Sequence, residues 1–351
     1  MDFIINDGKL IKYRGLKKEV IIPDGVTSIG VGAFWWCDNI TSIIIPDSVL
    51  SIGDEAFRQC KNLVNITIPN GVTSIGNKGF LGCKKLKSII IPDSVLSIGD
   101  EAFQQCKNLV NITIPNGVTG IGNKAFLGCE NLVYISIPES VTSIGDGAFC
   151  YCRSLKSVTI PERVTSIGEE VFGECINLTS IIIPDGVTNI GDRAFRRCIN
   201  LKDIIIPNSV TSIEDCAFNG CENLKSIKIP DSVTNIGHSA FISCYKLTAI
   251  TIPSSVKVIK KCAFQYCTNL SHISIANGIE TIEKEAFYDC RSLTSIIIPQ
   301  SVKKIGIRAF CDCDNLKKVL ILSPKCEVTK AFDKHTDVLR HSRKFKIKKN
   351  S

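Results

Sequence analysis

Residues 46–68 read Pro-Asp-Ser-Val-Leu-Ser-Ile-Gly-Asp-Glu-Ala-Phe-Arg-Gln-Cys-Lys-Asn-Leu-Val-Asn-Ile-Thr-Ile, and Pro69 begins the same sentence again. Proline recurs every 23 residues from Pro23 to Pro253, is replaced by Ala276, and returns at Pro299. Phenylalanine keeps the period from Phe34 to Phe310 without a miss, and cysteine from Cys37 to Cys313. A fixed period of this length marks one supersecondary unit stacked on copies of itself. The usual inference of two or three domains from 351 residues therefore does not hold.

Within the unit, Leu63–Ile68 is short and β-branched and predicts a strand closed by Pro69, which lacks an N–H for a ladder. The proline sets φ at the first corner of a turn. Val49 and Ile52 mark a shorter extended arm, and Gly53 permits a tight bend. Asp54, with Asp or Asn in seven of the thirteen equivalent slots, is read as the N-cap of one helical turn. Phe57 and Cys60 share a face of that turn. Asn62, asparagine in nine of thirteen repeats, is read as the left-handed residue that ends it. One coil cannot bury Val, Ile, Ala, Phe, Cys and Leu against itself, but coils stacked at roughly 4.8 Å give a continuous core. The expectation is a right-handed repeat solenoid with a parallel β-sheet, about 13 repeats of 23 residues and short helical turns.

The unit Ile-Pro-x-x-Val-x-x-Ile-Gly-x-x-Ala-Phe-x-x-Cys-x-x-Leu-x-x-Ile resembles the BspA-like, treponemal-type class of leucine-rich repeats. Phe3-Ile4-Ile5-Asn6-Asp7-Gly8-Lys9-Leu10-Ile11-Lys12-Tyr13 is similar to the hairpin that opens such arrays. The resemblance spans residues 3–322. It implies a leucine-rich-repeat solenoid over 21–322, a hairpin cap over 1–20, and a divergent cap with a basic tail over 323–351. Departures gather toward the C-terminus, where Glu214, Lys260 and Glu283 stand in glycine slots. Residues 43–88 and 89–134 differ at only seven positions, so a two-repeat block was copied. Copying lengthens a surface; it does not build an asymmetric active site.

Composition excludes more than it suggests. Apolar residues make up 44% and charged residues 22%, which excludes a disordered chain, and no apolar run is long enough for a membrane helix. The net charge of +8 is misleading, because six basic residues and no acidic one fall in residues 340–351. Taking those six from 42 leaves 36 basic residues against 34 acidic ones. His238, His272, His335 and His341 have no convergent partners, so neither a nucleophile–base pair nor a zinc shell is expected. No enzyme, cofactor, metal or small-molecule substrate is expected.

The thirteen cysteines in the repeat slot read as small reduced hydrophobes, since their side chains would point in parallel. Cys150 and Cys311 complete Cys-x-Cys pairs without the rest of a redox site. Trp35 and Trp36 in the first coil are expected to cap the N-terminal core.

Binding is expected on the outward slots of the main strand: Ile44, Thr67, Ile90, Thr113, Ser136, Thr159, Ile182, Ile205, Lys228 and Thr251, with Tyr134 and Asp203 in the neighbouring slot. Such a face, almost uncharged and carrying exposed isoleucine, suits a protein partner. The alternative is that the Ile/Thr ladder only stabilises the sheet laterally. The tail residues Arg343, Lys344, Lys346, Lys348 and Lys349 would attract nucleic acid or an anionic membrane, or serve as a solvated end. The start of the sequence has no signal-peptide pattern and the thiols are many, which favours a reducing compartment; the resemblance implies a cell-surface adhesin.

Overall fold

The computed structural model describes residues 2–340. Each coil has a long arm, such as Asn65–Thr67, and a short arm, such as Ser74–Ile75. Long arms recur every 23 residues from Glu19–Ile21 to Lys318–Ile321. Where successive arms pair, they do so in parallel and in register: Asn65, Ile66 and Thr67 face Ser88, Ile89 and Ile90. The long arms therefore stack along one side of the solenoid and the short arms along another, with the strand pairing interrupted between some coils.

Between them lies a single apolar core. Val49, Ile52, Ala56, Phe57, Cys60, Leu63, Ile66 and Ile68 are buried, as are most of their copies. The phenylalanines form one column whose successive rings lie 5.1–5.6 Å apart, nearly parallel. That geometry follows from the period: identical side chains in identical rotamers at the coil spacing stack face over face.

The expected helical turn does not form. From Gly53 to Leu63 the chain makes consecutive three-residue turns, with Ala56, Arg58 and Cys60 N–H groups donating to the carbonyls of Gly53, Glu55 and Phe57. The alternate N–H groups point along the stack: Glu55, Phe57 and Gln59 donate to Asn77, Gly79 and Leu81 of the next coil at 2.7–2.8 Å. A helix would keep these donors within its own coil and leave the stack without axial bonds here. The alternation requires left-handed residues, Glu55 at φ 57° and Gln59 at φ 61°. Each costs on the order of 1 kcal/mol, which the inter-coil bonds offset. Asn62 is not the left-handed residue; its Nδ2 donates to the Asp38 carbonyl of the preceding coil.

Three other local readings change. Asp54 is not an N-cap: its Oδ1 accepts the N–H of Asn77, Asn77 serves Asp100, and Asp100 serves Asn123, at 2.7–2.8 Å. Pro46 precedes the corners of its turn, whose closing bond runs from the Val49 N–H to the Pro46 carbonyl. Gly53 is needed for clearance, because a Cβ there would lie 3.0–3.1 Å from the backbone of Ile29, Gly30 and Val31.

At the ends, one expectation changes: the tryptophans do not cap the core. Phe3–Asn6 and Lys9–Tyr13 form an antiparallel hairpin, and Lys9–Leu10 pairs with Ser28–Ile29 to begin the short-arm sheet. Tyr13 packs tilted against Phe34 at 5.4 Å and Phe3 against Tyr13 at 5.1 Å, so these two rings cover the column. Trp35 and Trp36 lie outside it, half exposed, beneath Arg58 and Lys61. At the other end Glu327–Val328 and Asp337–Arg340 add a shortened coil, with Phe332 stacked 5.3 Å from Phe310.

Candidate functional site: the outer face of the long-arm sheet

Period-two alternation sends Ile66 into the core and leaves Asn65 and Thr67 outside. Repetition makes a continuous outer face. Ile44, Thr67, Ile90, Thr113, Tyr134, Thr159, Ile182, Asp203, Ile205, Lys228 and Thr251 are exposed on it, and Ser136 is half-buried. Ile205 is 83% exposed and Ile90 66%, high values for side chains that gain by leaving water. The structure thus brings the twelve sequence-derived positions onto one surface. The tail positions Arg343, Lys344, Lys346, Lys348 and Lys349 lie outside the described residues.

Two pairs of polar groups on the face bond across adjacent coils. Ser88 Oγ donates to Asn65 Oδ1 at 3.2 Å, and Ser226 Oγ to Asp203 Oδ1 at 3.3 Å. Asp203 pairs in register with Ser226, and Ile205 with Lys228, which sets the two charges diagonally across adjacent coils. Around them is a shallow depression of about 530 Å³, lined also by Asp185 and Asn208.

A larger depression, about 630 Å³, lies farther along, under Thr251, His272, Ser274, Ser295 and Ile297. The strands there lengthen to four residues, as in His272–Ile275. Ala276 has the N–H that proline lacks and donates it to the Ile252 carbonyl, extending the ladder.

The chemistry-bearing side chains stay apart. His272 Nδ1 is 2.8 Å from Ser271 Oγ, and His238 Nδ1 is 3.9 Å from Glu283 on the opposite flank. Among the described residues, no three His, Cys, Asp or Glu side chains converge as a metal site. The ladder thiols have a structural use: Cys60 donates to the Phe34 carbonyl at 3.1 Å, and Cys83 to Phe57. Burial pushes the Cys267 thiol up to about 12, with its neighbours raised for the same reason. Such thiols are inert at neutral pH in any compartment.

The family model for the BspA type leucine rich repeat region matches residues 12–133, 73–202 and 188–317, in six copies. The chain belongs to that family. A leucine-rich repeat protein from Bacteroides ovatus is 32% identical, with a TM-score of 0.87 over 97% of this chain and 100% of that one. A leucine rich cell surface protein from Faecalibacterium prausnitzii is also 32% identical, with a TM-score of 0.61 over 93% of this chain and 92% of that one. A leucine-rich repeat protein from Eubacterium ventriosum is 25% identical, with a TM-score of 0.58 over 99% and 94% of the two chains. No curated protein matches. BspA-type arrays are leucine-rich-repeat scaffolds of protein–protein interaction or surface adhesion.

Proposed function

We propose that this BspA-type protein is a non-catalytic scaffold that binds a protein partner through the outer face of the long-arm sheet, as an adhesin-like protein at a cell surface. One observation carries the reading: a long, nearly uncharged face whose isoleucines, Ile205 foremost, stand out in water. Lateral stacking alone would be served by threonine, which holds the same slot at Thr67, Thr113 and Thr159. The surface location is supported by the cell surface protein from Faecalibacterium prausnitzii, alike over most of its length. A second reading, an interaction module inside the cell, is favoured by the partly exposed thiols Cys37, Cys216 and Cys311.

Binding is measured on immobilised extracellular-matrix proteins. Tyr134→Ala, Asp203→Ala and Lys228→Ala are each expected to weaken it while leaving the unfolding midpoint unchanged, with losses of about tenfold where the side chain is a hot spot. Unchanged affinity in all three moves the interface off this face. Protease shaving of intact source cells separates the two locations: loss of the protein places it outside, and full protection until lysis places it inside.

A further inference from the structure

The charge of the array is unevenly distributed. Residues 1–256 hold 23 basic against 25 acidic residues, whereas residues 257–340 hold 14 against 9. Much of that excess lies on the short-arm flank, opposite in character to the uncharged long-arm face. His238, Lys261, Lys284 and Lys304 come from successive coils and surround a depression of about 450 Å³ with Ile282, Ile307, Thr281 and Thr329.

Among the described residues, the one carboxylate lining the depression, Glu283, is already engaged. The inter-coil ladder that starts at Asp54 is broken between Glu169 and Asp192, resumes at Asp192, and ends when Asp215 Oδ1 accepts the His238 N–H at 2.7 Å. The next donor, the Lys261 N–H, is taken from the opposite side by Glu283 Oε2 at 2.8 Å. Glu283 stands in a slot where glycine is usual, so its side chain serves the backbone and approaches His238 at 3.9 Å. The lysines are less committed. Among the described residues Lys261 and Lys304 make no ion pair, and Lys284 reaches Glu285 only at 3.7 Å. Here also the short-arm sheet is interrupted, between Asn235–Ile236 and Val258–Ile259, just before Lys260 takes a glycine slot.

We infer that this depression binds an acidic peptide segment of a protein, its carboxylates on Lys261, Lys284 and Lys304 and an aliphatic side chain on the exposed Ile307. Among the described residues no phenylalanine, tyrosine or tryptophan lines it, so they provide no broad platform on which nucleobases stack. Among the described residues lysines surround it without arginine, whereas planar bidentate recognition of phosphate favours arginine. An exposed isoleucine between point charges matches an acidic-aliphatic peptide better than a uniformly charged polymer. The inference does not rest on the long-arm reading.

The test uses the full chain and a fluorescein-labelled decapeptide alternating glutamate and leucine, read by fluorescence anisotropy. Binding is expected to be saturable, to weaken with salt, and to fall at least about tenfold in the Lys261→Glu, Lys304→Glu double variant. The charge-matched control, Lys87→Glu with Lys225→Glu, is expected to lose far less, since both lysines are exposed and distant in sequence. Four results overturn the proposal: no saturable binding, equal binding of the glutamine version of the peptide, unchanged affinity in the double variant, or equal loss in the control. Binding of a sulfated hexasaccharide but not of the peptide also overturns it and assigns the depression to a glycan.

Discussion

Cys60 shows how much one residue does in a stacked fold. It fills core volume, and its S–H donates to the Phe34 carbonyl, which also accepts the Cys37 N–H. The reading as a small hydrophobe was available from the spacing; the inter-coil bond was not, because it joins residues 26 apart. The thiols from Cys60 to Cys290 in this slot all have raised proton affinity, caused first by burial. A thiol that titrates higher when folded contributes stability that is complete below the unfolded thiol range and is lost as pH rises above it. The slope approaches about 1.4 kcal/mol per pH unit for each such thiol above about pH 8.5. The unfolding midpoint is therefore expected to be level from neutrality to about pH 8.5 and then to fall steeply. Thermal unfolding followed by circular dichroism across that range checks it; a level curve to about pH 10.5 would mean the ladder thiols are not buried as described.

At the scale of the element, the turn segment and the glycine slot explain each other. Consecutive turns with alternating bonds keep adjacent coils close, and close coils leave no room for a side chain after the short arm. A Cβ on Gly122 would lie 2.5–2.7 Å from the backbone of Gly99 and Asp100, so Gly122→Ala is expected to cost about 1–3 kcal/mol in urea unfolding. Gly120, two residues away, is a contrasting case. Its Cβ would meet only Ser143 Oγ at 3.1 Å, and the copied block has Ser74 in the same slot. Gly120→Ser is expected to be neutral or mildly stabilising, by up to about 1 kcal/mol, because a strand glycine is replaced. Equal losses in the two variants would sink the clearance argument. The sequence marked the glycine period plainly, yet suggested flexibility as its reason. Clearance is a relation between coils, so it has no signature within one repeat. Nothing in the side chains explains the other interruption of the short-arm sheet, between Ser143–Ile144 and Ser166–Ile167.

For the whole molecule, each coil touches mainly its neighbours, so length is adjustable in steps of one period. Removing residues 89–134, nearly a duplicate of 43–88, takes out two coils. Ser88 is then followed by Ile135, which occupies the same slot as Ile89, so the register is kept and no class of contact changes. The shortened protein is expected to fold with the same β-rich spectrum and a smaller urea m-value, reduced in proportion to the surface lost. An unfolded product would show that the array depends on particular coils and not on stacking in general. The same modularity explains why the two surfaces differ. An uncharged ladder along the long arms and a basic depression confined to the C-terminal coils arise from substitutions at outward slots, which the core does not constrain.

The sequence by itself determined the period, the coil, the inward and outward sides of the long arm and the absence of a recurring catalytic pattern, because each of these is written as spacing along the chain. Tertiary structure alone decided that the turn is not helical, that Asp54 and Asn62 bond to neighbouring coils, that Tyr13 and not Trp35 covers the aromatic column, and that Glu283 leaves Lys261 and Lys304 without a carboxylate. The reason is the direction of the interactions. Spacing within a repeat records what one coil buries, whereas the hydrogen bonds and clearances that choose its backbone conformation run along the stack, between residues about 23 positions apart.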